Sequence, residues 1–141
     1  MRAEAYIKLG QEDKALALIN SVRTRAMAST SRLKLANGAN PSNYKVDIYK
    51  PGVNVTWDNA TAWKALMFER RLEFGMEGSR FFDLVRWGIA AETLNAYIDV
   101  EKTKKSFLAL AYFTKGRDEF FPIPLREITF TKNLYKQNPG Y

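Results

Sequence analysis

The sequence has no cysteine and no histidine among its 141 residues. Their absence excludes disulfides, thiol nucleophiles, histidine-based triads and His/Cys zinc sites. It also leaves no lipid-bearing cysteine within this sequence. No run of eighteen apolar residues occurs, so no segment reads as a transmembrane helix. The opening Met1-Arg2-Ala3-Glu4-Ala5-Tyr6 lacks the apolar core of a signal peptide. It starts inside a helical pattern with no cap before it, which suggests a domain taken from a longer chain. No block of five or six like charges is present. With no nucleic-acid motif beside the +7 net charge, no nucleic-acid partner is expected. Gly75-Met76-Glu77-Gly78 lacks the strand-to-helix setting and Lys-Ser/Thr ending of a phosphate loop. Asp58-Asn59 is a pair rather than a cluster of oxygen ligands. Neither a metal nor a cofactor is therefore expected.

What is present is apolar and aromatic. Hydrophobic residues make up 46% of the chain and aromatics 13%, a globular composition with rings to spare for a surface. The length suits one domain over residues 1–141. Charge is uneven: residues 1–35 and 100–141 each carry +4, and the stretch between carries −1.

Residues 2–28 read as two short helices around Gly10, the residue type that commonly follows a helix end. Ala3, Tyr6, Ile7 and Leu9 supply the apolar positions of the first. The second is expected to be capped by Asp13, with Leu16, Ile19, Val22, Arg23 and Ala26 following at spacings of three and four. The spacing of Ala5-Tyr6, Leu9-Gly10 and Ala15 resembles a tetratricopeptide turn, in which small residues let two helices approach closely. Residues 29–58 are rich in turn formers: Asn37-Gly38, Asn40-Pro41 and Lys50-Pro51-Gly52. The short alternating runs 44–49 and 53–57 suggest a small hairpin. Residues 59–76 give the strongest helical pattern, capped by Asn59 or Thr61, with Trp63, Leu66, Met67, Arg70 and Phe74 on one face. A further helix starts near Ser79 and is interrupted by Gly88. From Gly116 the chain is proline-spaced and extended, ending in Asn138-Pro139-Gly140-Tyr141. The expectation is a mainly α fold: tetratricopeptide-like hairpins, a long irregular loop and an extended C-terminal tail.

Two constellations could carry chemistry. Glu69, Glu73 and Glu77 recur every four residues, and glycosidases need two carboxyl groups flanking a sugar bond. Successive turns of one helix place carboxyls side by side rather than across a cleft. With Arg70, Arg71, Arg80, Asp83 and Arg86 beside them, they read as a structural ion-pair network joining two helices, where partly buried charges survive by pairing. No catalytic residue is assigned. The second constellation is aromatic. Sugar C–H bonds are slightly positive and ring faces negative, so rings stack on pyranoses. Tyr44, Tyr49 and Trp57, in or beside the polar loop, are the candidate ligand-binding platforms. Trp63 and Trp87 lie among apolar neighbours and read as core.

The stretch from Glu69 to Gly88, ERRLEFGMEGSRFFDLVRWG, resembles the C-terminal signature of SusD/RagB proteins. The ending Phe121-Pro122-Ile123-Pro124-Leu125-Arg126-Glu127-Ile128, with Asn133-Leu134 and Gln137-Asn138-Pro139-Gly140-Tyr141, is similar to that family's, and the helix pair of residues 2–28 fits too. The three segments stand in the family's order. The resemblance implies a C-terminal SusD/RagB-like domain whose N-terminal part lies outside this sequence. It implies a non-enzymatic, lipid-anchored outer-membrane protein of Bacteroidota-type bacteria, exposed at the cell surface, that captures oligosaccharide for a SusC-like TonB-dependent channel. The alternative is a helical protein-interaction scaffold with no ligand site in this piece.

Overall fold

A computed structural model of the chain describes residues 1–43, 45–132 and 134–141. Among them the fold is mainly helical and has no strands. The chain divides into two compact units, Met1–Gly75 and Met76–Tyr141.

The first unit holds α1 (Arg2–Lys8), α2 (Glu12–Ser29), a 3-10 turn (Thr30–Arg32) and α3 (Asn59–Glu73). Gly10 takes φ +67, and two hydrogen bonds close the end of α1: Gly10 N–H to Ile7 O at 3.1 Å and Gln11 N–H to Tyr6 O at 2.8 Å. This is the Schellman arrangement, which satisfies carbonyls a helix end would otherwise orphan. Helix α2 therefore starts at Glu12, one residue before the expected cap Asp13, and has no side-chain cap.

Ile7, Ala15, Ile19, Ala62, Ala65 and Leu66 form the core, with Ala3, Tyr6, Tyr49, Trp57 and Trp63 packed around it. Three of the six core residues are alanines, so the helix backbones approach closely there. The buried stripe of α3 is Ala62, Ala65, Leu66 and Glu69. The larger Trp63, Met67 and Phe74, which hydrophobic size favours, are only half-buried on the flank, as is Arg70. Leu9 and Ala5 are exposed for the same reason: the close contact is made by Ile7 and Ala15.

Asp58 caps α3, its Oδ1 accepting from the Thr61 N–H at 2.7 Å. That hydrogen bond holds the Asp58 carboxyl below its ordinary value. The contribution is therefore present above the usual aspartate range and fades as pH falls through the lowered folded-state value. Asp58→Ala should lower the thermal midpoint by a few degrees at neutral pH, and Asp58→Asn, another good cap, should retain most of it. Equal melting of the Ala variant and the parent would refute the cap.

The second unit contains α4 (Arg80–Arg86), α5 (Ala90–Lys102), a 3-10 turn (Ser106–Leu108) and α6 (Leu125–Phe130). Gly88, at φ +73, ends α4 with the same pair of bonds, Gly88 N–H to Val85 O at 2.9 Å and Ile89 N–H to Leu84 O at 3.0 Å. Leu84, Ala90 and Phe113 make the core, with Phe81, Val85, Ile89, Ala91 and Leu94 against it. The tail closes on its own start: Tyr141 Oη donates to Phe120 O at 2.9 Å, and Asn138 Nδ2 to Phe121 O at 2.6 Å. Phe121, Leu125, Phe130 and Leu134 stay exposed, so the tail's apolar content is not spent on a core.

Extended segments outside sheets must satisfy their backbone groups elsewhere. Here side-chain amides do it. Asn20 accepts from Tyr49 N–H and donates to Tyr49 O, both at 2.8 Å. Asn95 does the same for Phe113, at 2.8 and 3.0 Å. Gln137 does it for Ile123, at 2.8 Å each way. Each clamp fixes a non-helical segment to a partner distant in sequence.

Candidate functional site

Residues 45–58 do not form the expected hairpin. Pro51 and Val55 make one isolated bridge, and the turn between is held by Lys50, whose N–H donates to Asn54 Oδ1 at 2.7 Å and whose carbonyl accepts from Val53 and Asn54. The proline and the Asn54 side chain replace ladder partners.

The loop is fastened to α2 at three places. Asn20 clamps Tyr49. Arg23 Nε donates to Asp47 O, while its Nη1 pairs with Glu69 of α3 and its guanidinium lies over the Tyr49 ring, 4.5 Å from the centroid. Trp57 Nε1 donates to Glu12 O at 3.1 Å. The Tyr49 and Trp57 rings are 5.7 Å apart, tilted by 37°. Burial pushes the Tyr49 phenol above its usual range, so it stays protonated at neutral pH.

The predicted rings thus differ in role. Tyr49 and Trp57 are half-buried and pack on the core. Tyr44 lies outside the described residues. Tyr49 borders a shallow apolar pocket of 310 Å³ with Lys64, Ala65 and Phe68. Trp57 borders a polar pocket of 460 Å³ at the starts of α2 and α3, with Gln11, Glu12, Asp13, Lys14, Asp58 and Asn59. Asn59 Nδ2 donates to Ile7 O at 2.9 Å and Glu12 Oε1 at 2.6 Å. The Asn59 hydrogen bond holds the Glu12 carboxyl low, so it is charged at neutral pH. Among the described residues no group of three carboxylates converges as metal ligands.

The predicted ion-pair set divides between the units. Glu69 and Glu73 of α3 pair with Arg23 and Arg25 of α2, two arginines that the helical signature does not contain. Asp83 pairs with Arg86 at 2.8 Å within α4, and Asp83 is buried. Arg80 and Arg86 also face the Trp87 ring, at 5.8 and 4.9 Å, and Arg70 faces Phe74 at 4.8 Å. Arg71 and Glu77 are exposed. The chemistry available here is that of electrostatic fastening. The polar pocket, bordered by an indole, offers donors and acceptors to a small ligand.

Asn20 escaped sequence reading, and Asn59 and Arg23 do more than cap a helix or hold a place on a stripe: each of the three joins segments far apart. A polar residue inside an otherwise apolar helical stripe, as Asn20 is beside Ile19, was the one available signal.

The family model of the SusD family matches residues 1–141. A search of the curated proteins finds no match.

Proposed function

The chain belongs to the SusD family, whose members are in general nutrient- and glycan-binding components of the outer membrane, and from that premise we propose that this protein captures oligosaccharide at the cell surface and passes it to a SusC-like TonB-dependent channel. The family match over the whole of residues 1–141 carries the proposal. The family is a binding, non-catalytic one, and the side-by-side carboxylates of α3, spent on α2 arginines, accord with a protein that holds its ligand unchanged. No helix among the described residues is long and apolar enough to cross a membrane. We assign attachment to a lipid anchor on an N-terminal portion outside this sequence.

Of the predicted rings, Trp57 is the one we assign to ligand contact, because it walls a polar pocket. Tyr49 serves by holding the loop. Trp57→Ala should weaken binding of a glycan about tenfold or more, while Trp57→Phe, which keeps a ring, should weaken it less. Unchanged affinity in the Ala variant would remove Trp57 from the site.

Isolation of the native protein from detergent-solubilised membranes tests the larger reading. A lipid-bearing chain that brings a β-barrel channel with it is the expected result. A native protein recovered without lipid or channel would overturn it and favour the second reading, a helical interaction scaffold. The half-burial of Tyr49 and Trp57 is the observation on that side.

A further inference from the structure

The segment between α2 and the fastened loop is exposed throughout residues 31–43. The clamps made by Asn20 and Arg23 take hold further on, at Tyr49 and Asp47. Within the segment the chain turns on Asn37-Gly38. Gly38 N–H donates to Leu35 O at 2.8 Å, and Leu35 N–H to Ala39 O at 2.9 Å. The Asn37 side chain folds back along the chain, its Oδ1 accepting from Ala39 N–H at 3.0 Å, an Asx turn. Gly38 takes φ +81, and a Cβ placed there would meet nothing within 4 Å.

We propose that Asn37 is a site of spontaneous modification, converted to aspartate and isoaspartate when the Gly38 nitrogen attacks its side-chain amide. The Gly38 nitrogen gives up its proton to water or hydroxide and bonds to Asn37 Cγ. The Cγ–Nδ2 bond breaks, and ammonia leaves with a proton returned by water. The cyclic imide left behind takes up one water. Opening at Cγ gives aspartate, and opening at the Asn37 main-chain carbonyl gives isoaspartate. No oxidant, reductant or cofactor is needed.

Three features favour the reaction here. Glycine has no Cβ to shield its nitrogen or to restrict the rotation that attack requires. The Ala39 N–H polarises the Asn37 side-chain carbonyl and stands where negative charge develops on Oδ1 as the nitrogen adds. The Asx turn brings that carbonyl back across the Asn37–Gly38 peptide. The Gly38–Leu35 bond opposes attack, but it is a solvent-exposed turn bond, of the kind that opens locally at little cost. Other asparagines are less suited. Asn40 and Asn138 precede prolines, which have no N–H to give up. Asn20, Asn54, Asn59 and Asn95 have their amides committed to backbone carbonyls. Asn43 and Asn133 precede the bulky Tyr44 and Leu134, and Asn37 alone precedes glycine.

Either product puts a carboxylate on a segment whose charged residues, Arg32 and Lys34, are basic. Isoaspartate also carries the main chain through Cβ, and the added carbon breaks the register of the Leu35–Ala39 bond. The change stays in the loop, because Ile7, Ala15 and Ile19 pack on Ala62, Ala65 and Leu66 elsewhere. The charge of this loop thus falls as the molecule ages.

The test is incubation of the full chain in warm buffers of rising pH, with peptide mass mapping and an isoaspartate methyltransferase assay. We expect the Asn37 peptide to show the mass change of NH2 replaced by OH, faster as pH rises, ahead of every other asparagine peptide. Gly38→Ala, whose methyl enters open space, should slow the conversion severalfold or more, and Asn37→Ser should abolish the signal. Earlier conversion at another asparagine, or equal rates in the parent and Gly38→Ala, would overturn the proposal. So would an unchanged Asn37 after the time in which a synthetic peptide of residues 31–43 converts, since the folded turn would then protect it. Converted and fresh protein should melt together, and a lowered midpoint would overturn the confinement to the loop.

Discussion

Arg23→Ala should destabilise the Met1–Gly75 unit by about 3–5 kcal/mol, the cost of leaving one half of a buried ion pair without its partner. Arg23 and Glu69 are 15% and 11% exposed, so the carboxylate left behind has little water to turn to. The same guanidinium also donates to Asp47 O and covers the Tyr49 ring, so the loop loses its fastening to α2 at the same stroke. Urea unfolding followed by circular dichroism would read the loss, and proteolysis at residues 45–58 would read the released loop. Arg23→Lys should recover only part of the stability, because an ammonium cannot present the planar fork that meets a carbonyl and a carboxylate together. Replacing both partners, Arg23→Met with Glu69→Leu, should cost far less than Arg23→Ala alone, since no charge then remains buried. The neighbouring pair supplies the contrast. Arg25 is 64% exposed, and its bond to Glu73 is screened by water, so Arg25→Ala should change stability little. Equal effects at Arg23 and Arg25 would show that burial is not what gives the first pair its weight.

Leu84→Ala should cost the Met76–Tyr141 unit about 2–5 kcal/mol. Among the described residues Leu84 is one of three buried apolar ones there, and the others are Ala90 and Phe113. So small a core has few neighbours able to move into the space a leucine leaves. Leu84 also supplies the carbonyl that accepts from Ile89, so the turn closing α4 is tied back to the residue that anchors its packing. Hydrogen exchange should show lost protection along Ala90–Lys102 and at the Phe113 amide, which Asn95 holds only while α5 is packed. Leu84→Met, close in volume, should cost less than about 1.5 kcal/mol. A mild effect of Leu84→Ala, equal to that of Leu84→Met, would mean that this core does not hold the unit together.

How much of this was readable in advance differs by element. The helices were, because a period of 3.6 residues is a local property, and Gly10 and Gly88 marked ends by the one conformation they take freely. Capping was read one residue out: Asn59 and Thr61 were favoured, and the carboxylate that accepts from Thr61 is Asp58. Among the described residues, the expected hairpin of the 44–57 region became a loop, since Pro51 and the Asn54 side chain take the places of ladder partners. The pairing of Glu69 and Glu73 with Arg23 and Arg25 spans more than forty residues, and no spacing rule reaches that far.

By itself, then, the sequence determined the helical class, the absence of thiol and imidazole chemistry and, through the ordered stretches 69–88 and 121–141, the family. Those depend on residue type and short-range order. The tertiary structure alone decided which face of each helix is buried, that alanines rather than the largest side chains make the closest contacts, that asparagine and glutamine amides stand in for a missing sheet, and that Trp57 borders a polar pocket with Asn59. Those depend on distances between segments far apart in the chain, and such distances are settled only when the backbone closes and every buried polar group must find its partner.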